Sequence, residues 1–157
     1  MWTTNEDYHS TIVDFMKLSP LAQTPSRGSE QAAGYDLYAD LESQSYIALA
    51  PGEVRKISTG IGIALPQGTF GAIYARSGMA TKRGLVPANC VGVIDSDYRG
   101  PVIVALKNTS DSVQTVEHGE RIAQLVVQPY INITLREVES IGTTARNDGG
   151  FGSSGNK

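Results

Sequence analysis

The chain has 157 residues, 40% hydrophobic and 18% charged, with a formal net charge of −3, a length that predicts one domain with its own core. The acidic balance argues against sequence-independent duplex binding, which needs a basic face to release counterions. The single Cys90 excludes an intramolecular disulfide framework and a cysteine zinc cluster, and His9 and His118 lie too far apart in sequence to point to a histidine metal site.

The opening "MWTTNEDYHSTI" lacks the basic start and long apolar run of a secretory leader. No stretch approaches the roughly 20 apolar residues a bilayer-spanning helix needs. The expectation is a soluble, intracellular, cytoplasmic protein without nucleic-acid or membrane partners.

In chain order, the helical period is nearly absent. Short runs rich in Val, Ile, Leu and Tyr recur between Gly, Pro, Asn, Asp and Ser clusters. They are "TIVDFMKL" (11–18), "GYDLYA" (34–39), "SYIALAPGE" (45–53), "EVRKISTGIGIAL" (53–65), "GTFGAIYA" (68–75), "GPVIVALKN" (100–108), "RIAQLVVQPY" (121–130) and "ITLREVESI" (133–141). Such spacing with β-branched enrichment predicts an all-β sandwich or barrel. Tight turns are expected at Pro51–Gly52, Pro66–Gly68 and His118–Glu120. The one helix candidate is the stretch after Arg76, "SGMATKRG", a turn or two long. In "GPVIVALKN", Val102, Val104 and Leu106 share one face and Ile103 and Ala105 the other. With both faces apolar, this strand lies between two layers, or between one layer and another subunit. No internal repeat or interdomain linker is present; low complexity begins after Thr143, giving one β domain over 1–142 and a tail over 143–157.

Polar residues interrupt this pattern where core is expected. Asp36 sits inside the apolar "AAGYDLYAD"; a turn or ion pair would explain it, as would a hard divalent cation held through oxygens and water. Arg76 follows the apolar "GAIYA", and Ser77 and Gly78 then open the helix. Ser at an N-cap is ordinary, but with an arginine and exposed amides the same arrangement makes a phosphate site. In "NCVGVIDSDYRGPVIV" (89–104) the pattern is that of a β-hairpin turning at "DSD". Asp95 either starts that turn or, at a strand end beside a partly buried surface, holds a water as general base. Gln124 shares a face with Ile122 and Val126, so its amide needs partners. The tail "RNDGGFGSSGNK" reads either as a frayed end or as a segment ordering around a ligand. In the second case Phe151 stacks and backbone amides and hydroxyls donate to anions. Together these residues point to a polyphosphate, a divalent metal and a base.

The sequence resembles the trimeric dUTP diphosphatase (dUTPase) family. Its five motifs occur in order: "AGYDLYA" (33–39), "ARSGMA" (75–80), "VGVIDSDYRG" (91–100), "GERIAQL" (119–125) and "RNDGGFGSSG" (146–155). "PSRGSEQAAGYDL" and "PGEVRKISTGI" are also similar to family members.

The resemblance implies a jelly-roll β-sandwich or distorted barrel with at most one short helix. It implies a homotrimer with sites shared between subunits. It implies hydrolysis of dUTP to dUMP and pyrophosphate with Mg²⁺, lowering dUTP and supplying dUMP for thymidylate synthesis. Asp95 would prime the water that attacks the α-phosphorus. Arg76, Ser77, Gly78 and Gln124 would bind phosphates, and Asp36 would meet the metal through water. Backbone around Val93 and Ile94 with the Asn89 region would read uracil, Ile103 would line that pocket, and Tyr98 would exclude a ribose 2′-hydroxyl. In the arm, Phe151 would stack on uracil while Arg146, Gly152, Ser153 and Ser154 meet the phosphates. Asn147 stands where the family commonly has glycine and Ser154 where threonine is usual. Cys90 replaces small or polar residues and is expected to be buried as a small apolar side chain. Two other classes remain on the same scaffold. One is a deoxycytidine triphosphate deaminase, which lacks this combination of "GVIDSDYRG" and "GGFGSSG"; the other is a non-catalytic, nucleotide-gated interaction protein.

Overall fold

The computed structural model describes residues 11–150. They form an almost all-β protein with one short helix. The strands are β1 (Asp14–Lys17), β2 (Ser26–Arg27), β3 (Tyr35–Tyr38), β4 (Tyr46–Leu49), β5 (Val54–Ser58), β6 (Ile61–Ala64) and β7 (Thr69–Tyr74), then, after α1 (Ser77–Arg83), β8 (Leu85–Pro87), β9 (Gly92–Ile94), β10 (Ile103–Asn108), β11 (Gln114–Glu117) and β12 (Arg121–Pro129). A five-stranded sheet runs β2-β3-β12-β7-β9, a three-stranded one β5-β10-β8, and two pairs join β1 to β6 and β11 to β4.

The turns obey one steric rule. Amides of Glu53, Thr69 and Glu120 donate to the carbonyls three residues earlier, on Ala50, Pro66 and Glu117. In each turn the residue just before that donor is a glycine with positive φ: Gly52 at 77°, Gly68 at 80° and Gly119 at 75°. A type II turn demands that conformation at its third position, and a side chain there would be strained.

The alternation in β10 sets the core. Val104 and Leu106, with Val102 just before the strand, are buried against Leu37, Leu49, Ile57, Leu85 and Ile122; each such burial is worth about 1.5–3 kcal/mol. Ile103, on the opposite face, is exposed, so this chain covers only one side of the strand. The helix buries Met79 and stops at Gly84, whose left-handed φ of 65° caps it.

Four expectations need correction. The arms of the 89–104 segment do not pair as a hairpin: β9 pairs with β7, while β10 pairs with β5 and β8. The chain does reverse at Asp95–Tyr98, through a bond from the Tyr98 amide to the Asp95 carbonyl. Gly92 permits the divergence, because a Cβ there would lie 3.1 Å from Ile73 Cβ. The run at 133–141 forms no strand. Its apolar residues stay exposed, Ile133 at 68% and Leu135 at 88%, since a strand needs a neighbour for its backbone groups. Ser77 is not the helix N-cap: Arg76 holds that position with extended backbone and no side-chain cap bond. Cys90 is exposed rather than buried, carried outward by a turn in which its φ is 63°.

Candidate functional site

Asp36 is the centre of one group. On β3 it is 8% exposed, and its carboxylate accepts from two arginines. Arg76 Nε lies 2.8 Å from Oδ1 and Arg121 Nη1 lies 3.2 Å from Oδ2. Arg76 reaches this point because β7 ends at Tyr74 and the chain stays extended through Arg76, at φ −79° and ψ 136°. Gln124 faces Asp36 across the β12–β3 ladder and Tyr74 across the β12–β7 ladder. Its Nε2 donates to the Ala75 carbonyl at 3.0 Å, which satisfies half of the amide. Gly34 completes the packing; a Cβ there would come within 3.3 Å of Gln124 Oε1.

The electrostatics of this corner follow from the count. Two guanidinium groups share one carboxylate, leaving a surplus positive charge in a chain of net charge −3. Beside it, Ser77 and Gly78 are exposed at the start of the helix, and space is open around Gly78. The first amides of a helix have no intrahelical partner. The chemistry on offer is anion binding.

Cation binding is a separate test. Among the described residues no group of three or more His, Cys, Asp and Glu side chains could hold a metal ion. Asp36 alone could hold one only through water. That fits Mg²⁺, which keeps several waters and takes substrate phosphate oxygens rather than a protein cage.

The second group lies around Asp95. Asp95 follows the last residue of β9, as the sequence predicts; it is itself exposed, next to the partly buried Ile94. No hydrogen bond or ion pair engages its carboxylate among the described residues. Val93 is 60% exposed, Ile94 packs on the core, and Asn89 is exposed. Tyr98 donates its hydroxyl to the Pro101 carbonyl at 3.0 Å. Its ring runs over Gly100, where a Cβ would lie 2.4 Å from Tyr98 Oη. Among the described residues the outer edge of β9 has no strand partner, and β8 covers β10 only from Leu106 onward in the ladder. The splayed arms therefore present open backbone edges near Val93 and Ile103.

The two groups sit at opposite ends of β7. Ile94 pairs with Gly71, the third residue of β7, in an antiparallel ladder that carries Asp95 toward the strand's start, and Arg76 follows its other end. Four extended residues lie between Gly71 and Arg76, five steps or about 16 Å of chain. The structure thus brings Asp36, Arg76, Ser77, Gly78 and Gln124 together, and separates them from Asp95.

In the tail, Arg146 Nε donates to the Gly149 carbonyl at 2.8 Å, and the Gly149 amide donates back to the Arg146 carbonyl. Asn147 inside this turn has φ 47°, a left-handed conformation that asparagine tolerates better than most residues. Phe151, Gly152, Ser153 and Ser154 lie outside the described residues. Sequence reasoning missed Arg121, which lies within "GERIAQL" but on the wrong strand parity to be aimed at Asp36. An apolar groove of about 490 Å³, lined by Phe15, Tyr35, Leu37, Ile61 and Val127 among others, contains none of these site residues.

An almost all-β chain with an arginine-paired carboxylate at one end of a sheet and an exposed carboxylate at the other offers anion-binding and proton-accepting groups. The sequence profile of the dUTPase family matches residues 21–155. A deoxyuridine 5′-triphosphate nucleotidohydrolase of Oryza sativa subsp. japonica is 44% identical over 144 residues, spanning 92% of this chain and 81% of the relative. One from Finegoldia magna is 44% identical over 137 residues, spanning 87% and 92%. The Staphylococcus bacteriophage 80alpha dUTPase with dUpNHpp superposes with a TM-score of 0.83 at 29% identity, covering 93% of this chain and 99% of that one. This chain belongs to the dUTPase family.

Proposed function

We propose that the protein hydrolyses dUTP to dUMP and pyrophosphate, a dUTP diphosphatase lowering dUTP and supplying dUMP for thymidylate synthesis. The observation that carries this reading is the family match over 21–155, a span that includes the Asp36–Arg76–Gln124 corner and the Asp95 turn.

In this reading Asp95 takes a proton from a water as its oxygen bonds to the α-phosphorus. The bond from that phosphorus to the α,β-bridging oxygen breaks, and pyrophosphate leaves with the electron pair. General-base assistance of this kind supplies about 100- to 10,000-fold. Arg76, the amides at Ser77 and Gly78, and Gln124 hold phosphates. Asp36 would meet the waters of a Mg²⁺ ion, which when bound would offset charge on the triphosphate. Arg146, Gly152, Ser153 and Ser154 close on the phosphates, chiefly the γ-phosphate, and Phe151 stacks on uracil.

The open backbone edges at Val93, Ile94 and Asn89 read the base, with Ile103 beside them. Cytosine presents a donor where uracil presents an acceptor, so it would leave like groups facing each other unpaired. Tyr98 occupies the space a ribose 2′-hydroxyl would need.

A homotrimer with shared sites is supported by the spread of these groups. A base and the groups that stabilise charge must converge on one reacting atom. Within one chain they lie at opposite ends of β7, so a second copy supplying the missing half resolves the distance. The exposed Ile103 face and the unpartnered 131–141 run are further surface for such contacts.

Pyrophosphate release from dUTP, with dCTP, dTTP and UTP alongside, tests the assignment. dUTP should be turned over far faster than the other three; equal rates on all four overturn it.

A further inference from the structure

Strand parity places Arg121 on the wrong side of β12. It lies three positions before Gln124, an odd interval, so in a regular strand the two side chains point to opposite faces. Gln124 is directly across from Asp36. Yet Arg121 Nη1 also reaches Asp36, at Oδ2.

A β-bulge accounts for this. The β12–β3 register shifts between Arg121 and Ala123: Arg121 pairs with Tyr38 and Ala123 with Leu37, so Ile122 is the extra residue. Consecutive Ile122 and Ala123 are both fully buried, so the extra residue is packed into the core. Bulges re-aim neighbouring side chains, and this one turns Arg121 onto the carboxylate.

The contact matters because of what Arg76 must do. The function proposed above, on which this inference rests, needs Arg76 on phosphate oxygens. In this structure Arg76 is committed to Asp36 Oδ1. Its departure would leave a carboxylate whose side chain is only 11% exposed, and an unpaired charge at that depth is costly. Arg121 holds the other oxygen and comes from a different strand. We propose that Arg121 is a positioning residue: it keeps the Asp36 carboxylate aimed while Arg76 transfers from Asp36 to the triphosphate, so that the carboxylate meets the cation's waters in a fixed orientation.

The test is the calorimetric Kd of a non-hydrolysable dUTP analogue, measured with and without Mg²⁺, on the full chain and on Arg121→Met and Arg121→Lys. Loss of a partner that orients a metal-associated group typically costs about 10- to 100-fold. The Met variant should lose affinity by that order in Mg²⁺ and change little without it, with an unchanged melting temperature. Arg121→Lys should recover most of the loss, and adding Arg121→Met to Asp36→Asn should change nothing further. Should the Met variant fail to fold, Arg121→Gln serves the same comparison. Equal weakening with and without Mg²⁺, additivity with Asp36→Asn, or a lower melting temperature with intact Mg²⁺-dependent affinity would each overturn the proposal. A wild-type chain with no Mg²⁺-dependent affinity for the analogue overturns the functional reading as well; a Met variant that matches a competent wild type overturns the Arg121 role alone.

Discussion

The Asp36 corner and the Asp95 turn belong to one sheet and are built to different degrees of completion. At the corner, a buried carboxylate has two guanidinium partners and Gln124 is anchored to the Ala75 carbonyl. At the turn, the carboxylate is exposed and Val93, Tyr98 and Ile103 face outward. The corner is finished by its own chain because a buried charge without a partner would destabilise the fold. The turn carries no such penalty while it faces water, so nothing in the chain's own stability requires it to be filled. Under the proposed function, preorganised charge would meet the phosphates and open backbone would select the base.

The largest expected effect separates the two ends. Asp95→Asn should reduce turnover by about 100- to 10,000-fold while a dUTP analogue still binds, as read by single-turnover kinetics and calorimetry. Near wild-type speed would remove Asp95 from the role of base. Arg76→Ala should be crippled through phosphate binding instead. If the ends of different subunits meet, coexpressing the two dead chains restores some sites with both ends intact. Random assembly then gives about one quarter of wild-type activity. A mixture that assembles and stays inactive would show that each site draws both ends from one chain.

A smaller effect probes the turn alone. In Gly100→Ala the new Cβ would lie 2.4 Å from Tyr98 Oη and 2.7 Å from its Cζ, so the ring must swing and its bond to the Pro101 carbonyl is lost. The preference for dUTP over UTP should then fall roughly tenfold, the scale of a single misplaced steric contact. Phosphate binding at the Asp36 corner should be untouched. Unaltered discrimination would mean that Tyr98 does not sense the sugar.

What was legible in the sequence divides along the same line. Turns at Gly52, Gly68 and Gly119 were readable because a single steric requirement ties each glycine to its place. The buried face of β10 was readable from strict alternation, and Asp36 and Gln124 stood out as polar residues among apolar ones. Arg121 was not readable: parity argues against it, and the bulge that re-aims it is decided by two buried neighbours competing for the same core. The splayed arms of 89–104 escaped for a related reason. Turn chemistry at Asp95–Tyr98 predicts a reversal, but which sheet claims each arm depends on how Gly92 packs on Ile73 and β10 on Ile57 and Leu49. The 133–141 segment has strand composition without a strand, because pairing is a property of two segments and no second one meets it among the described residues. Cys90 shows that residue type is a weaker guide than backbone: its positive φ carries it outward whatever its hydrophobicity.

The smallest expected effect is a control outside both ends. Glu53 closes the Pro51–Gly52 turn, accepting from the Ala50 amide at 2.8 Å and from Arg55 Nε. The Ala50 bond first, and Arg55 second, hold its carboxyl below the usual carboxylate range. A folded-state pKa lowered from 4.5 means that the ionised form favours the fold. That contribution is present above the unfolded value and disappears as the pH falls through the folded one. Because the carboxylate is solvated, the change is slight. Glu53→Gln should flatten the acid limb of melting temperature against pH and leave kcat/KM for dUTP at neutral pH unchanged. A loss of kcat/KM would mean that the β4–β5 turn communicates with the site, and the separation of the molecule into a completed corner and a waiting turn would then need a third region.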